Sequence, residues 1–241
     1  MPDKLIYTAL YESSYWFVYL ITLVYFLLLY FGIGTLFRLL CRQLYTQKLL
    51  TKIVLKDPAP EQVRYEIIHS LVSVVIFGFS GVALVYMIRS GSIEPAPDTT
   101  WSALTGLVIL NLWNELHFFT VHRLMHLPWL YRTVHKVHHR SKTPTVYSVF
   151  SFHPFEAALL STVPLTIAPF VDLSITALML YPLTSILLNL AGHCNYRFGN
   201  GQGSSYTLFA TRHAKHHQVN AAAFGFATAL LDRIASKFKQ P

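Results

Sequence analysis

Residues 16–40, WFVYLITLVYFLLLYFGIGTLFRLL, contain one charge, Arg38. A run so long and so apolar is a bilayer crossing. The hydrocarbon offers its backbone no partners, so the N–H and C=O groups must pair along a helix. Comparable runs occupy 66–88, 102–126, 154–170 and 174–192. Pro164 and Pro169 kink or end the fourth, and Asp172 marks the reversal into the fifth. Thr100 or Ser102 is placed to cap the third. The expected fold class is all-α: one integral membrane domain over 1–241, a multispanning transmembrane helical bundle. It has four spans, or three plus a re-entrant hairpin. The 53% apolar and 12% charged residues fit a surface that meets lipid, since soluble domains carry about twice that charge. The run from Trp16 is too long for a cleavable signal.

Charge sets the orientation. Of 19 Lys and Arg residues, all but Lys4 and Arg89 fall in 38–66, 123–153 and 194–241. The proposed spans put those three stretches on one side, which the positive-inside bias makes cytoplasmic. The net charge of +8 is explained by this bias, and no nucleic-acid partner is expected. Cys41 and Cys194 fall on the same side, where thiols stay reduced, so no disulfide is expected.

Eleven of the twelve histidines follow residue 116. They form His122-x3-His126, His135-x2-His138-His139 and His213-x2-His216-His217. On a helix, positions i, i+3 and i+4 share a face, so each group presents two or three imidazoles in one direction. Eight neutral nitrogens exceed what one catalytic zinc takes and suit two metals with four or five ligands each. Imidazole alone does not choose among iron, zinc, copper and nickel. Metal-bound histidines commonly donate their other N–H to a carboxylate. Glu115, on the same helical face as His122, Glu156 and Asp232 are the candidates. His193, four residues after Asn189, is read as a ligand ahead of a capping role. His117 and His153 are equally open to a supporting and a structural role. The segments 122–153 and 193–241 thus make a cytoplasmic, histidine-lined dimetal cap, with a Gly-rich loop at 199–203 and an amphipathic helix near 222–238.

These motifs, together with Ser151-Phe-His-Pro-Phe-Glu156, Asn189-Leu-Ala-Gly-His193 and Phe224-Gly-Phe-Ala-Thr-Ala-Leu-Leu-Asp-Arg233, resemble the fatty acid hydroxylase/sterol desaturase superfamily of membrane di-iron enzymes, in a bacterial-type form. The likeness runs from about residue 60 to the end. It implies that the eight motif histidines hold two Fe ions, zinc being a possible substitute, with His193 as a further ligand and Asn189 near the site. Two positions depart from the pattern: Ala223-Phe224-Gly225 replaces Asn-Tyr-Gly, and Asn189 stands where some members have histidine.

The resemblance also implies O2 as co-substrate and hydroxylation or desaturation of a lipid C–H bond, on a sterol, fatty acyl or related lipid. Trp113, Phe118, Phe119, Phe150 and Phe152 are candidates for lining its pocket. Electrons come from a donor such as cytochrome b5 or a ferredoxin with its reductase. A metalloprotease is disfavoured, because Arg123 stands where His-Glu-x-x-His needs glutamate. A transporter would place ligands along the spans, whereas these gather at one side. A noncatalytic metal- or lipid-binding protein is the remaining alternative. The membrane is expected to be a bacterial inner membrane. The ending Lys237-Phe-Lys239-Gln-Pro241 resembles a retrieval signal for the endoplasmic reticulum, the other option.

Overall fold

The computed structural model describes residues 7–198, 209–219 and 223–237. The Gly-rich loop at 199–203 and the end of the chain from residue 238 lie outside them. The chain is mostly helical. Helix α1 (Tyr15–Thr46) and α2 (Pro60–Arg89) pack side by side; α3 (Thr100–Met125) and α7 (Ile175–His193) form the second pair. Between them lie three consecutive helical turns, Pro128–Leu130, Tyr131–His135 and Lys136–His139, here α4, and the short α5 (Pro154–Leu160) and α6 (Val163–Ile167). Helices α8 (Phe209–Val219) and α9 (Leu230–Lys237) close the chain.

By length and composition α1, α2 and α7 are apolar enough to cross a membrane, and the protein is a multi-pass membrane protein. Helix α3 is as long, but it carries Asn111, Asn114, Glu115 and His117. Its outer row still reads Leu104, Val108, Leu112, Leu116, four exposed apolar side chains at one-turn spacing. Small residues let the pairs close up: a Cβ on Gly106 would stand 2.6 Å from the Cβ of Ala177 in α7, nearer than real Cβ atoms approach. Such small-residue contacts drive helix association where lipid removes the hydrophobic force.

Helix starts follow side-chain chemistry. Ser14 caps α1 through Phe17 N, and Ser174 caps α7 through Ala177 N. The cap of α3 is Thr99, one residue before Thr100, and Ser102, the other candidate, reciprocates in a capping box. At one end of the bundle, Ala96 N donates to Leu173 O and Thr176 N to Asp98 Oδ1. The reversal around Asp172 therefore lies against the 90–98 loop, at the end where Arg89 binds Leu10 O and Ser13 O.

The all-α expectation needs one correction. At the opposite end, Leu50–Lys52 (β1) pairs antiparallel with Tyr196–Phe198 (β2), Leu50 opposite Phe198. The chain leaves α1 and α7 side by side there, and both segments, in residues favouring extended backbone, satisfy each other's peptide groups. Asn195, at φ 61°, closes the ribbon by exchanging hydrogen bonds with Val54 N and O.

Candidate metal centre

The histidines meet in two groups. His122, His126, His135, His139 and His216 form one; His138, His193, His213 and His217 form the other, the ligand atoms within each lying within 4.8 Å of one another. Helix geometry explains the sorting. In each His-x2-His-His segment the i, i+4 pair faces one group, while the remaining histidine, about 100° from its neighbour, faces the other. His135 and His139 thus join the first group and His138 the second; His213 and His217 join the second and His216 the first. The expectation that each segment points all its imidazoles one way is corrected: each triplet is shared. A wide helical turn at Tyr131–His135 precedes the split.

Four outward nitrogens are held, while Nδ1 of His139 and of His217 is buried without a hydrogen-bond partner among the described residues. His135 Nδ1 lies 2.8 Å from Glu156 Oε1, His122 Nδ1 3.0 Å from Phe224 O, His193 Nδ1 3.0 Å from Asn189 O, and His138 Nδ1 3.3 Å from Ser151 O. With Nδ1 so engaged, Nε2 is the atom turned inward. His126 and His216 approach through Nε2 at 3.1 Å, His135 and His139 at 3.1 Å, His213 and His193 at 2.9 Å, and His217 and His213 at 3.0 Å. His122 Nε2 is buried without a hydrogen-bond partner among the described residues. Burial first, and neighbouring imidazoles second, hold His138, His139, His213 and His217 below the ordinary value near 6.5. Neutral, inward-facing, clustered imidazoles are the donor set a metal ion requires, and the residues fit one metal per group.

The other predicted residues separate. Of the three carboxylates, Glu156 alone is paired with a group histidine. Glu115 accepts from Ala227 N, Thr228 N and Thr228 Oγ1, while Asp232 accepts from Phe224 N, Gly225 N and Arg212. Both clamp the 224–228 segment whose Phe224 carbonyl steadies His122. His117 bonds Thr162 Oγ1, His153 caps α5 through Phe155 N, and Asn189 Nδ2 donates to Val149 O. Sequence reasoning missed the carbonyls of Phe224 and Ser151, which carry no side-chain signal. It also passed over Glu66, a fully buried acid in α2 visible as a charge inside an apolar run. Glu66 accepts from Gln62 Nε2 at 2.8 Å and Thr145 Oγ1 at 2.5 Å, tying the loop after His139 to the bundle.

A fatty acid hydroxylase profile matches residues 107–236, more than half of the chain and all nine grouped histidines. The chain belongs to the fatty acid hydroxylase family. It is 25% identical over 126 residues to methylsterol monooxygenase 2-2 of Arabidopsis thaliana, covering 51% of this chain and 47% of that protein. It is 28% identical over 143 residues to the human fatty acid hydroxylase domain-containing protein 2, covering 57% and 42%. With lathosterol oxidase of Rattus norvegicus the identity is 30% over 151 residues, covering 58% and 48%. The chain thus spans about half the length of these relatives. No solved structure matches it. Where family members have asparagine, Ala223 sits at φ 66°, a left-handed conformation that asparagine adopts more readily than alanine.

An apolar cavity lies beside the histidine groups. A cavity of about 610 Å3 runs inside the bundle between α1, α2, α3 and α7. Phe118, Asn189 and Phe226 line its inner end and also a separate void of about 10 Å3 against His193 and His213. Of the five aromatics expected at the pocket, Phe118, Phe150 and Phe152 line this cavity. Trp113 instead donates to Thr166 Oγ1, and Phe119 lies under Arg123, because both sit on other faces of α3.

Proposed function

We propose that the protein is an O2-dependent di-iron oxidase that hydroxylates or desaturates a lipid C–H bond. The observation that carries the reading is the pair of imidazole groups at the inner end of an apolar cavity. The names of its relatives, a methylsterol monooxygenase and a lathosterol oxidase, point to a sterol or related lipid as substrate.

The nine grouped histidines are the proposed ligands, five for one iron and four for the other. Imidazole alone does not choose the metal, and iron is taken from the reaction proposed. Bound reduced iron supplies the electrons that activate O2 for attack on an unactivated C–H bond. The chain's own part is to hold the imidazoles neutral and turned inward, and to offer the lipid an apolar cavity beside them. Phe118, Asn189 and Phe226 separate that cavity from His193 and His213, so we assign the four-histidine group as the centre that meets the substrate.

The site faces the cytoplasm on the positive-inside count, with Arg132, Lys136, Arg140 and Lys215 exposed around it. These cations suit an acidic electron carrier such as cytochrome b5 or a ferredoxin. Labelling tests the orientation: a Glu94→Cys variant reacts from outside and Gln47→Cys from the cytoplasm, and the reverse pattern would refute it. For the oxidase reading, protein expressed with iron and a reductase should carry two irons per chain and consume O2 with added lipid. Mass spectrometry then separates gain of an oxygen from loss of two hydrogens. His138→Ala or His216→Ala should lower bound metal and abolish turnover with membrane insertion intact; full activity in either refutes the ligand assignment.

A further inference from the structure

The cavity wall is apolar, and its polar groups are mostly accounted for locally. Thr22 donates to Val18 O, Ser80 to Phe77 O, Ser161 to Ala158 O and Asn189 to Val149 O. Asn114 is different. It is 5% exposed, it lines the cavity, and its Nδ2 has no hydrogen-bond partner among the described residues. No other lining side chain has such an orphaned buried atom. Leaving a buried amide unpaired is costly, more so inside a bilayer. The amide is therefore suited to a ligand that brings the missing partner.

Position defines what that ligand is. Asn114, Phe118 and His122 lie one turn apart on the same face of α3, and the rings of Phe118 and His122 are 4.9 Å apart. Asn114 stands about 12 Å from His122 along the helix axis. The cavity wall contains no Lys, Arg, His, Asp or Glu, so an ionised headgroup would enter without a counter-charge, at a prohibitive desolvation cost. The partner is a neutral oxygen. A hydroxyl both accepts and donates, and so satisfies the carboxamide in either orientation.

We propose that Asn114 anchors the hydroxyl group of a neutral lipid alcohol lying in this cavity, one helical turn from Phe118 at its inner end. Asn114 is a positioning residue; it touches the lipid away from the reacting bond. The proposal deepens the oxidase reading and rests on it only for the fate of the bound lipid.

The test measures binding without turnover. The full chain in phosphatidylcholine nanodiscs is presented with two matched pairs, cholestanol against cholestane and hexadecanol against hexadecane, and occupancy is read by native mass spectrometry. The alcohol of at least one pair should bind about ten-fold or more tighter than its hydrocarbon. Asn114→Leu should bring that ratio close to one while iron content stays at the wild-type level, and Asn114→Thr, which keeps a hydroxyl, should retain part of it. Equal binding of alcohol and hydrocarbon by the wild-type chain overturns the proposal, whatever the variants do. So does a preference that survives Asn114→Leu. If the alcohol preference holds but no lipid is oxidised, the oxidase reading fails and the anchor stands.

Discussion

The two imidazole groups are built differently. The five-histidine group has a carboxylate, Glu156, behind His135, and its His126 is partly exposed beside Tyr131. All members of the four-histidine group are buried, and the acceptors holding them, Ser151 O and Asn189 O, are uncharged. The group with one imidazole fewer lies against the residues that close the inner end of the apolar cavity, Phe118, Asn189 and Phe226. The contrast teaches that one fold can give two imidazole clusters different surrounds. The extra imidazole and the negative charge gather in one, and the uncharged one lies nearer the apolar cavity; under the proposed function that difference separates ligand number from lipid access.

The sharpest way to break this contrast is to remove one ligand from each side. His213→Ala should abolish lipid oxidation and halve bound iron. His126→Ala, which removes the one partly exposed member of the five-histidine group, should keep measurable turnover. Equal loss in both, by O2 consumption and metal analysis, would erase the asymmetry.

Glu156→Ala should come next. Losing the partner of a ligand typically weakens metal binding about 10–100-fold, and the effect should be confined to one of the two irons in a chelator titration. Equal weakening of both would show that the groups share one electrostatic environment.

A smaller and graded effect comes from protons. His138, His139, His213 and His217 titrate below 6.5 in the folded chain, so at lower pH the unfolded chain binds more protons. Their contribution to stability is fully present above about pH 6.5 and is lost as pH falls below it. Each fully buried group adds a slope of up to about 1.4 kcal/mol per pH unit. Three of the four belong to the uncharged group. Metal-free protein should therefore melt lower at pH 5.5 than at pH 7.5, and His139→Ala should flatten the profile less than His213→Ala and His217→Ala together.

The smallest effect is expected at Ala223. Relieving its left-handed backbone with Ala223→Asn should stabilise the chain by about 1 kcal/mol, read as a modest rise in melting temperature. An unchanged melt would mean that the 224–228 clamp through Glu115 and Asp232 already absorbs the strain.

Much of this was legible in the sequence. The apolar runs show as long stretches of missing charge, and the histidines as clusters at helical spacing. The sharing of each His-x2-His-His between two groups was not drawn, because face-sharing at i, i+3 and i+4 suggests one direction until a second centre is considered. The carbonyls of Phe224 and Ser151 leave no mark on side-chain patterns. Glu115 lies on the right face of α3 for His122, yet its carboxylate reaches the 226–228 peptides, a long-range contact that helix spacing cannot announce. The β1–β2 ribbon depends likewise on two helix ends emerging side by side.

His138 and His139 are consecutive residues, and so are His216 and His217, yet in each pair one ring serves one group and its neighbour the other. The separation of the two imidazole groups is therefore gauged by single peptide units, the least extensible links a protein has. A motion that displaces α4 or α8 carries both groups along as one piece.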